Sequence, residues 1–124
     1  MPRFKIEFFE KENGEQPAKI FMLGLTPKLR AKLSSMIALL ADNGYELREP
    51  YSKSLSDGIF ELRVKHTSNV MRVLYFFYYD NHIVLTNGFI KTTRKTPKAQ
   101  LMKAKEYRKQ YIASKESKAD EQQV

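Results

Sequence analysis

Basic side chains from separate predicted strands could meet on one face of a sheet. Residues 59–65 alternate apolar and polar side chains, which predicts a strand with Arg63 on its polar face. Residues 70–79 predict a second strand, and the short turn between the two would set Arg63 directly opposite Arg72. Because facing like charges repel, this arrangement suggests a bound anion that relieves the repulsion.

A second turn extends this face to a third strand. Asp80-Asn81 is a two-residue turn signal that would pair Tyr79 with His82 and bring residues 82–90 beside the second strand. The cluster predicted at one end of the face then comprises Lys65, Arg63, Arg72, Phe89 and Lys91. The apolar side chains predicted at the other end, beneath a helix, are Leu74, Phe76, Tyr78, Ile83 and Leu85.

Such a cluster could cleave RNA without a metal ion. The 2′-hydroxyl of RNA can attack the adjacent phosphorus if a base removes its proton and guanidinium groups stabilise the developing charge. Crowding by cations lowers the pKa of a lysine such as Lys91, which could then act as the base. Phe89 could stack on an unpaired nucleobase.

Other interpretations of the same residues remain open. The cluster could hold nucleic acid without cutting it. Glu61 shares the predicted face and could pair with the arginines in place of an external anion. A one-residue slip in register would move Arg63 to the opposite face from Arg72 and remove the cluster.

The elements that must position these strands are an N-terminal strand and three helices. The strand is predicted at residues 4–9, and Pro17 favours a short helix that ends near Gly24. Thr26-Pro27 predicts a longer helix that Asn43-Gly44 ends, and Thr96-Pro97 predicts a basic helix to about Ser114. Residues 45–57 are interpreted as a loop. The apolar stripe of the longer helix, expected in the core, is Leu29, Leu33, Met36, Ile37 and Leu40.

The positive charge of the chain is concentrated in its last third. The 124 residues include 22 Lys and Arg against 14 Asp and Glu, a net charge of +8. Residues 91–118 alone contain ten basic and two acidic residues. This stretch is either a solvated helix face or a surface for an anionic partner such as nucleic acid. The length predicts a single domain over residues 1–114, with residues 115–124 as a polar, flexible tail.

Composition also argues against several classes of protein. The chain contains no cysteine and only two histidines, so we expect no disulfide, no metal and no cofactor. No apolar run approaches the roughly 20 residues that span a bilayer. The N-terminal residues 1–5 lack the apolar stretch of a signal peptide. A cytoplasmic protein without a membrane partner is therefore the expectation.

Several sequence blocks in a fixed order resemble a known family. The most specific are Gly-Ile-Phe-Glu-Leu-Arg and Gly-Phe-Ile-Lys-Thr-Thr, and the full set covers residues 44–50, 55–63, 72–76, 87–93 and 95–97 with Ala104. Over roughly residues 4–112 the chain resembles the HigB-like, phage-derived branch of the RelE/ParE toxin superfamily. The resemblance implies a compact α/β (α+β) fold. Its curved, mainly antiparallel sheet of about four strands would be flanked by N-terminal helices and the C-terminal basic helix.

The resemblance also implies an activity and partners. The implied protein is the toxin of a type II toxin–antitoxin system, an mRNA interferase that cleaves mRNA in the ribosomal A site. Its implied partners are the ribosome, mRNA and a cognate helix-turn-helix antitoxin. Two alternatives are a ParE-like poison of DNA gyrase and a non-catalytic nucleic-acid-binding phage accessory protein, because fold alone does not decide function.

Site residues carry over from the family only in part. Arg72 matches the family's arginine that contacts the scissile phosphate. Arg63 falls near a family lysine that assists proton transfer. Lys91 falls in the segment that carries another basic active-site residue of the family. Since an arginine stays protonated, the base would be Lys65, Lys91 or His66. The tyrosine near the start of the last helix has no match, because Gln100 and Leu101 stand there. The predicted RNA-binding residues are Lys65, Phe89, Arg94, Lys95, Lys98 and Lys105, with Lys103, Arg108 and Lys109 as further phosphate contacts on the basic helix.

Overall fold

The computed structural model describes residues 3–91 and 95–122, with the main chain alone at Asn69 and at residues 119–122. Three α-helices and a five-stranded sheet follow each other along the chain, with a short 3₁₀ turn at Gly44–Glu46. The helices are α1 (Pro17–Leu23), α2 (Pro27–Asn43) and α3 (Lys98–Gln122). The strands are β1 (Lys5–Phe8), β2 (Ser52–Ser54), β3 (Phe60–His66), β4 (Asn69–Tyr78) and β5 (His82–Lys91).

The sheet has the strand order β1-β5-β4-β3-β2. Strand β1 runs parallel to β5, and the remaining neighbours are antiparallel. The predicted α+β fold with a mainly antiparallel sheet is therefore confirmed. The prediction missed β2, which lies inside the segment interpreted as a loop. A strand of three residues is too short to show an alternating pattern of apolar and polar side chains.

The first two helices begin where their sequences predict. Pro17 opens α1, and its fixed φ and missing N–H suit the first helical position. The Thr26 hydroxyl accepts a hydrogen bond from the Leu29 amide at the start of α2, while Gly44, with φ of 53°, ends it. The helices thus form from local signals, and their apolar faces decide where they pack.

Two hydrophobic cores lie on opposite faces of the sheet, and β4 contributes to both. On one face, α1 and α2 cover Val73 and Tyr75, and the whole predicted α2 stripe packs there. On the other face, Leu74 and Phe76 pack with side chains of α3, including Ala104. Each fully buried large apolar side chain contributes about 1.5–3 kcal/mol to stability. The expected packing of the C-terminal helix against the sheet is confirmed, and β4 is covered on both faces.

The turn between β4 and β5 differs from its prediction. Tyr78, rather than Tyr79, pairs with His82, so three residues connect the strands. Nearer the cluster, Leu74 pairs with Asn87 while Tyr75 pairs with Leu85, which leaves Thr86 as the extra residue of a β-bulge. The Thr86 hydroxyl donates a hydrogen bond of 3.0 Å to the Leu74 carbonyl across the bulge.

The bulge has two effects on the predicted face. It offsets the one-residue difference at the turn, because the pairs from Leu74 and Asn87 onward again have the predicted register. It also reverses the alternation in the other half of β5, so the placement of Ile83 and Leu85 on the same face as Leu74 and Phe76 is wrong. Both residues belong to the α1–α2 side, and Val84 joins Leu74 and Phe76 under α3.

Helix α3 is longer than predicted and continues to Gln122 instead of ending near Ser114. That residues 115–124 form a flexible tail stays a prediction. In the part of the chain that the structure describes, α3 and the other helices lack the long apolar stretch that crossing a membrane requires.

Candidate active site

Strand pairing brings the predicted cationic cluster together. Arg63 lies directly opposite Arg72, and Arg72 lies opposite Phe89. The pair of Val70 and Lys91 follows two residues further along the strands, on the same face. Partners in register share a face, so the basic side chains meet at one end of the sheet, as predicted.

Glu61 binds both arginines from within the sheet. Its side chain has no exposed surface. Its Oε1 atom accepts hydrogen bonds from Arg63 Nε at 2.9 Å and from Arg72 Nη1 at 2.7 Å. The Thr96 hydroxyl donates to Oε2. The ion pair with Glu61, which the sequence left open as an alternative, is therefore present and lowers the repulsion between the facing arginines.

One carboxylate does not neutralise the cluster. Arg63, Arg72 and Lys91 bring three positive charges against the single charge of Glu61, and Arg72 and Lys91 are only 6% and 4% exposed. Within the described residues, Arg72 Nε and Lys91 Nζ are buried and have no hydrogen-bond partner. A buried donor without a partner costs about 1–3 kcal/mol, and more when it is charged. An anion at this place would bind both donors and offset the excess charge.

The pKa values of the cluster follow from burial and neighbouring charges. Burial by itself raises the pKa of Glu61. The hydrogen bonds from Thr96 and Arg63, with the positive charges of Arg72 and Arg63, outweigh it and hold the pKa below its ordinary value of 4.5. Burial, and then the charge of Arg72, lowers the pKa of Lys91 from 10.5, while Glu61 opposes the change. A lysine of lowered pKa loses its proton more readily, which suits a base.

The other predicted residues of the sheet face have different surroundings. Lys65 is exposed at the edge of the cluster. Phe89 is only half-buried, but part of its ring packs against the α3 core, which limits the area it can offer to a nucleobase. His66 ends β3, where it pairs with Asn69 at the turn.

The beginning of α3 lies beside the cluster. The Thr96 hydroxyl reaches Glu61, and the Asn87 side-chain amide donates to both the carbonyl and side-chain oxygens of Gln100. These contacts fix the start of the basic helix against β3 and β5. They also leave Lys95 and Lys98 exposed next to the site.

Not every predicted contact on α3 is free to bind RNA. Lys105 forms an ion pair with Asp57 at 3.1 Å. Arg108 lies over the Phe76 ring at 5.8 Å, and its guanidinium is close to Gly58. Arg94 lies outside the described residues. Of the contacts predicted on α3, the exposed lysines that remain are Lys98, Lys103 and Lys109.

Sequence reasoning missed Lys53, which extends the basic face. Lys53 pairs with Glu61 across β2 and β3, so its side chain lies on the face of the cluster. Its charge contributes to the lowered pKa of Lys91. The missing signal is β2 itself, because a residue in an apparent loop cannot be assigned to a sheet face.

The described ranges 3–91 and 95–122 contain no group of three or more His, Asp or Glu side chains placed to hold a metal ion. The charged groups that the cluster brings together are guanidinium, ammonium and carboxylate groups. These groups can bind an oxyanion, stabilise charge on it and exchange a proton at Lys91.

Fold and site together define a small α+β protein of RelE-like architecture with a buried cationic cluster on its sheet. The chain belongs to the family described as phage derived protein Gp49-like (DUF891), whose model matches residues 21–109. This family is part of the RelE/HigB-like toxin clan. No curated protein matches the chain. The predicted superfamily is thus confirmed, while the assignment to the HigB-like branch stays a prediction.

Proposed function

We propose that the protein is the toxin of a type II toxin–antitoxin system and acts as a ribosome-dependent, metal-independent endoribonuclease on mRNA. One observation carries the proposal: two buried cationic donors, Arg72 Nε and Lys91 Nζ, have no partner within the described residues. A phosphodiester supplies the missing acceptor atoms and a negative charge at the same place. Membership of a toxin family supports the same conclusion.

The reaction that fits these residues is attack of a 2′-hydroxyl on the adjacent phosphate. Lys91 in its neutral form removes the 2′-hydroxyl proton. The new oxygen–phosphorus bond forms as the bond to the 5′-oxygen breaks, and water or a protonated side chain supplies the proton that the leaving oxygen needs. Arg72 and Arg63 stabilise the negative charge on the phosphate oxygens, and Glu61 holds both guanidinium groups in place.

Substrate positioning falls to the ribosome and to the basic surface around the cluster. Exposed lysines such as Lys65, Lys95 and Lys98 would contact RNA phosphates without reading sequence. Binding should therefore weaken steeply as salt concentration rises. Holding the mRNA in place on the ribosome would let a small site act efficiently, because positioning removes much of the entropic cost of reaction.

The proposed partner in the cell is an antitoxin encoded beside the toxin gene. We expect induction of the protein alone to arrest growth and to create new 5′ ends within translated mRNAs. Co-expression of the neighbouring gene should restore growth. Measurement of growth and mapping of mRNA 5′ ends test this directly. DNA damage with intact mRNA would instead indicate a gyrase poison, and RNA binding without cleavage or toxicity would indicate an accessory protein.

The role of Lys91 as the base predicts a particular pH dependence. A neutral amine is the active form, so the cleavage rate should rise with pH and level off above the pKa of Lys91, which lies below 10.5. Lys91→Arg keeps the positive charge but cannot lose a proton in this pH range. The variant should cleave at least about 100-fold more slowly, as loss of a general base does. Single-turnover rates between pH 6 and 10 would measure both effects.

The other two candidates for the base provide the comparison. Lys65→Arg and His66→Gln should retain the wild-type pH profile if Lys91 is the base. A wild-type profile in Lys91→Arg, together with a flattened profile in either of the other variants, would move the assignment to that residue.

A further inference from the structure

Strand β2 places two exposed side chains beside the cationic cluster. Tyr51, immediately before β2, accepts a hydrogen bond of 2.8 Å through its carbonyl from the Arg63 amide. The strand register therefore continues one residue beyond Ser52, with Tyr51 opposite Arg63. Lys53 is opposite Glu61 in the same register. The edge of the sheet thus adjoins the residues that hold the proposed scissile phosphate.

The direction of these side chains follows from Ser52, which lies between them. The Ser52 hydroxyl is buried against the Tyr75 hydroxyl on the α1–α2 side of the sheet. Successive side chains of a strand point to opposite faces, so Tyr51 and Lys53 project toward the face of Glu61 and Arg63.

Both side chains are available to a ligand. Tyr51 is 47% exposed, which leaves about half of its side chain open to contact. Lys53 is exposed as well, and its charge acts on Lys91 although β3 and β4 lie between β2 and β5. In the described part of the chain, neither side chain has a hydrogen bond or ion pair that would explain its position.

We propose that Tyr51 and Lys53 form a second nucleotide subsite that binds the nucleotide next to the cleaved phosphate. In this subsite the tyrosine ring stacks on an unpaired base and the lysine contacts a backbone phosphate. The subsite rests on the proposed function, and it gives the RNA a path across the sheet from Lys91 toward β2.

The two residues match what single-stranded RNA requires. Proteins that bind single strands combine a basic track for the phosphates with aromatic rings on which bases stack. Phe89 offers only part of its ring, whereas Tyr51 is free at the sheet edge. Neighbouring strands are about 4.8 Å apart, so a residue on β2 is within one nucleotide of Arg63 on β3.

The test uses the full chain and programmed ribosomes. The ribosomes carry an mRNA with a 2′-O-methyl group in the A-site codon, which blocks attack by the 2′-oxygen, and binding is measured across a salt series. Tyr51→Ala should weaken binding about tenfold or more without changing the salt dependence, as loss of one stacked base does. Tyr51→Phe should bind like the wild type, because it retains the ring.

Lys53→Ala should have a different signature. Loss of one phosphate contact should reduce the slope of log K against log salt by about 0.7, the value for a single strand. With unmodified mRNA, Tyr51→Ala should raise the protein concentration at half-maximal cleavage and leave the rate at saturation close to that of the wild type. Lys53→Ala should do the same when measured on the high-pH plateau of the rate profile, where Lys91 is neutral in both proteins and the lost charge no longer affects it. This split separates a binding residue from one that supports the chemistry.

Matched controls lie elsewhere on the surface. Tyr79, 81% exposed at the far end of the sheet, and Lys19, exposed on α1, should tolerate alanine without any of these effects. If Tyr51→Ala and Lys53→Ala behave like the controls while the wild type cleaves, the subsite is wrong and the proposed function stands. If the wild type neither binds nor cleaves, both proposals fail.

Discussion

Arg72→Ala should abolish growth arrest and slow mRNA cleavage by about 100- to 1,000-fold, the effect of removing a preorganised charge-stabilising donor. Arg72 is the most enclosed arginine of the cluster, and its Nε atom has no partner among the described residues. Its guanidinium is fixed by Glu61 before any substrate binds. The loss should therefore appear in the rate at saturation rather than in binding alone. Single-turnover cleavage on programmed ribosomes measures it.

Two further variants separate chemistry from folding. Arg72→Lys retains the positive charge but loses the planar set of donors that a guanidinium group presents. Its cleavage rate should therefore fall between those of the wild type and Arg72→Ala. Arg3→Ala removes an exposed arginine paired with Glu46 and should cleave normally. Thermal unfolding of each variant shows whether the fold survives. A folded Arg72→Ala protein that still arrests growth and cleaves mRNA at the wild-type rate would exclude this site.

Glu61→Ala should destabilise the protein by about 3–5 kcal/mol, the usual cost of removing one partner from a buried ion pair. The substitution leaves Arg63 facing Arg72 with no anion between them and removes the acceptor of the Thr96 hydroxyl. The start of α3 would then lose one of its contacts with the sheet. Chemical denaturation measures the loss, and Glu46→Ala, which breaks an exposed pair, should cost only about 0–1 kcal/mol.

Acid should reveal the same interaction in the wild type. The pKa of Glu61 is lower in the folded protein than its ordinary value of 4.5. Above pH 4.5 the ionised carboxylate therefore makes its full contribution to the stability of the fold. The contribution is lost as the pH falls through the folded pKa. Glu61→Gln should remove this component and make stability less sensitive to acid below about pH 4.5. Equal acid sensitivity in the two proteins would show that Glu61 carries no such stabilisation.

The sequence predicts the fold best where local signals and periodicity agree. Thr26-Pro27 and Pro17 mark helix starts that the structure confirms, because capping chemistry acts within one turn of the helix. The register of Arg63 against Arg72 was predictable because a tight turn and an alternating strand leave little freedom.

The features that the sequence could not reveal depend on contacts distant along the chain. The bulge at Thr86 changes which side chains of β5 face α3, and although Gly88 can signal a bulge, residues 82–91 alone do not fix its position. Strand β2 exists because β3 offers it an edge, so Lys53 could not be placed at the cluster. The site itself was predicted as an anion-binding cluster or an internal ion pair. Glu61 forms the pair and, among the described residues, leaves two donors without acceptors, so the ion pair is present and anion binding stays a prediction.

The parallel pairing of β1 with β5 has a consequence for how the chain acquires its fold during synthesis. Lys5 finds its partner only when His82 has been made, and the Tyr111 hydroxyl donates a hydrogen bond to Glu7 across a separation of 104 positions. Contacts this remote in sequence form late, because the intervening chain must first be closed into a loop. Phe8 of the first strand and its neighbour Phe9 therefore stay uncovered until most of the polypeptide has emerged, which exposes this segment to aggregation during synthesis.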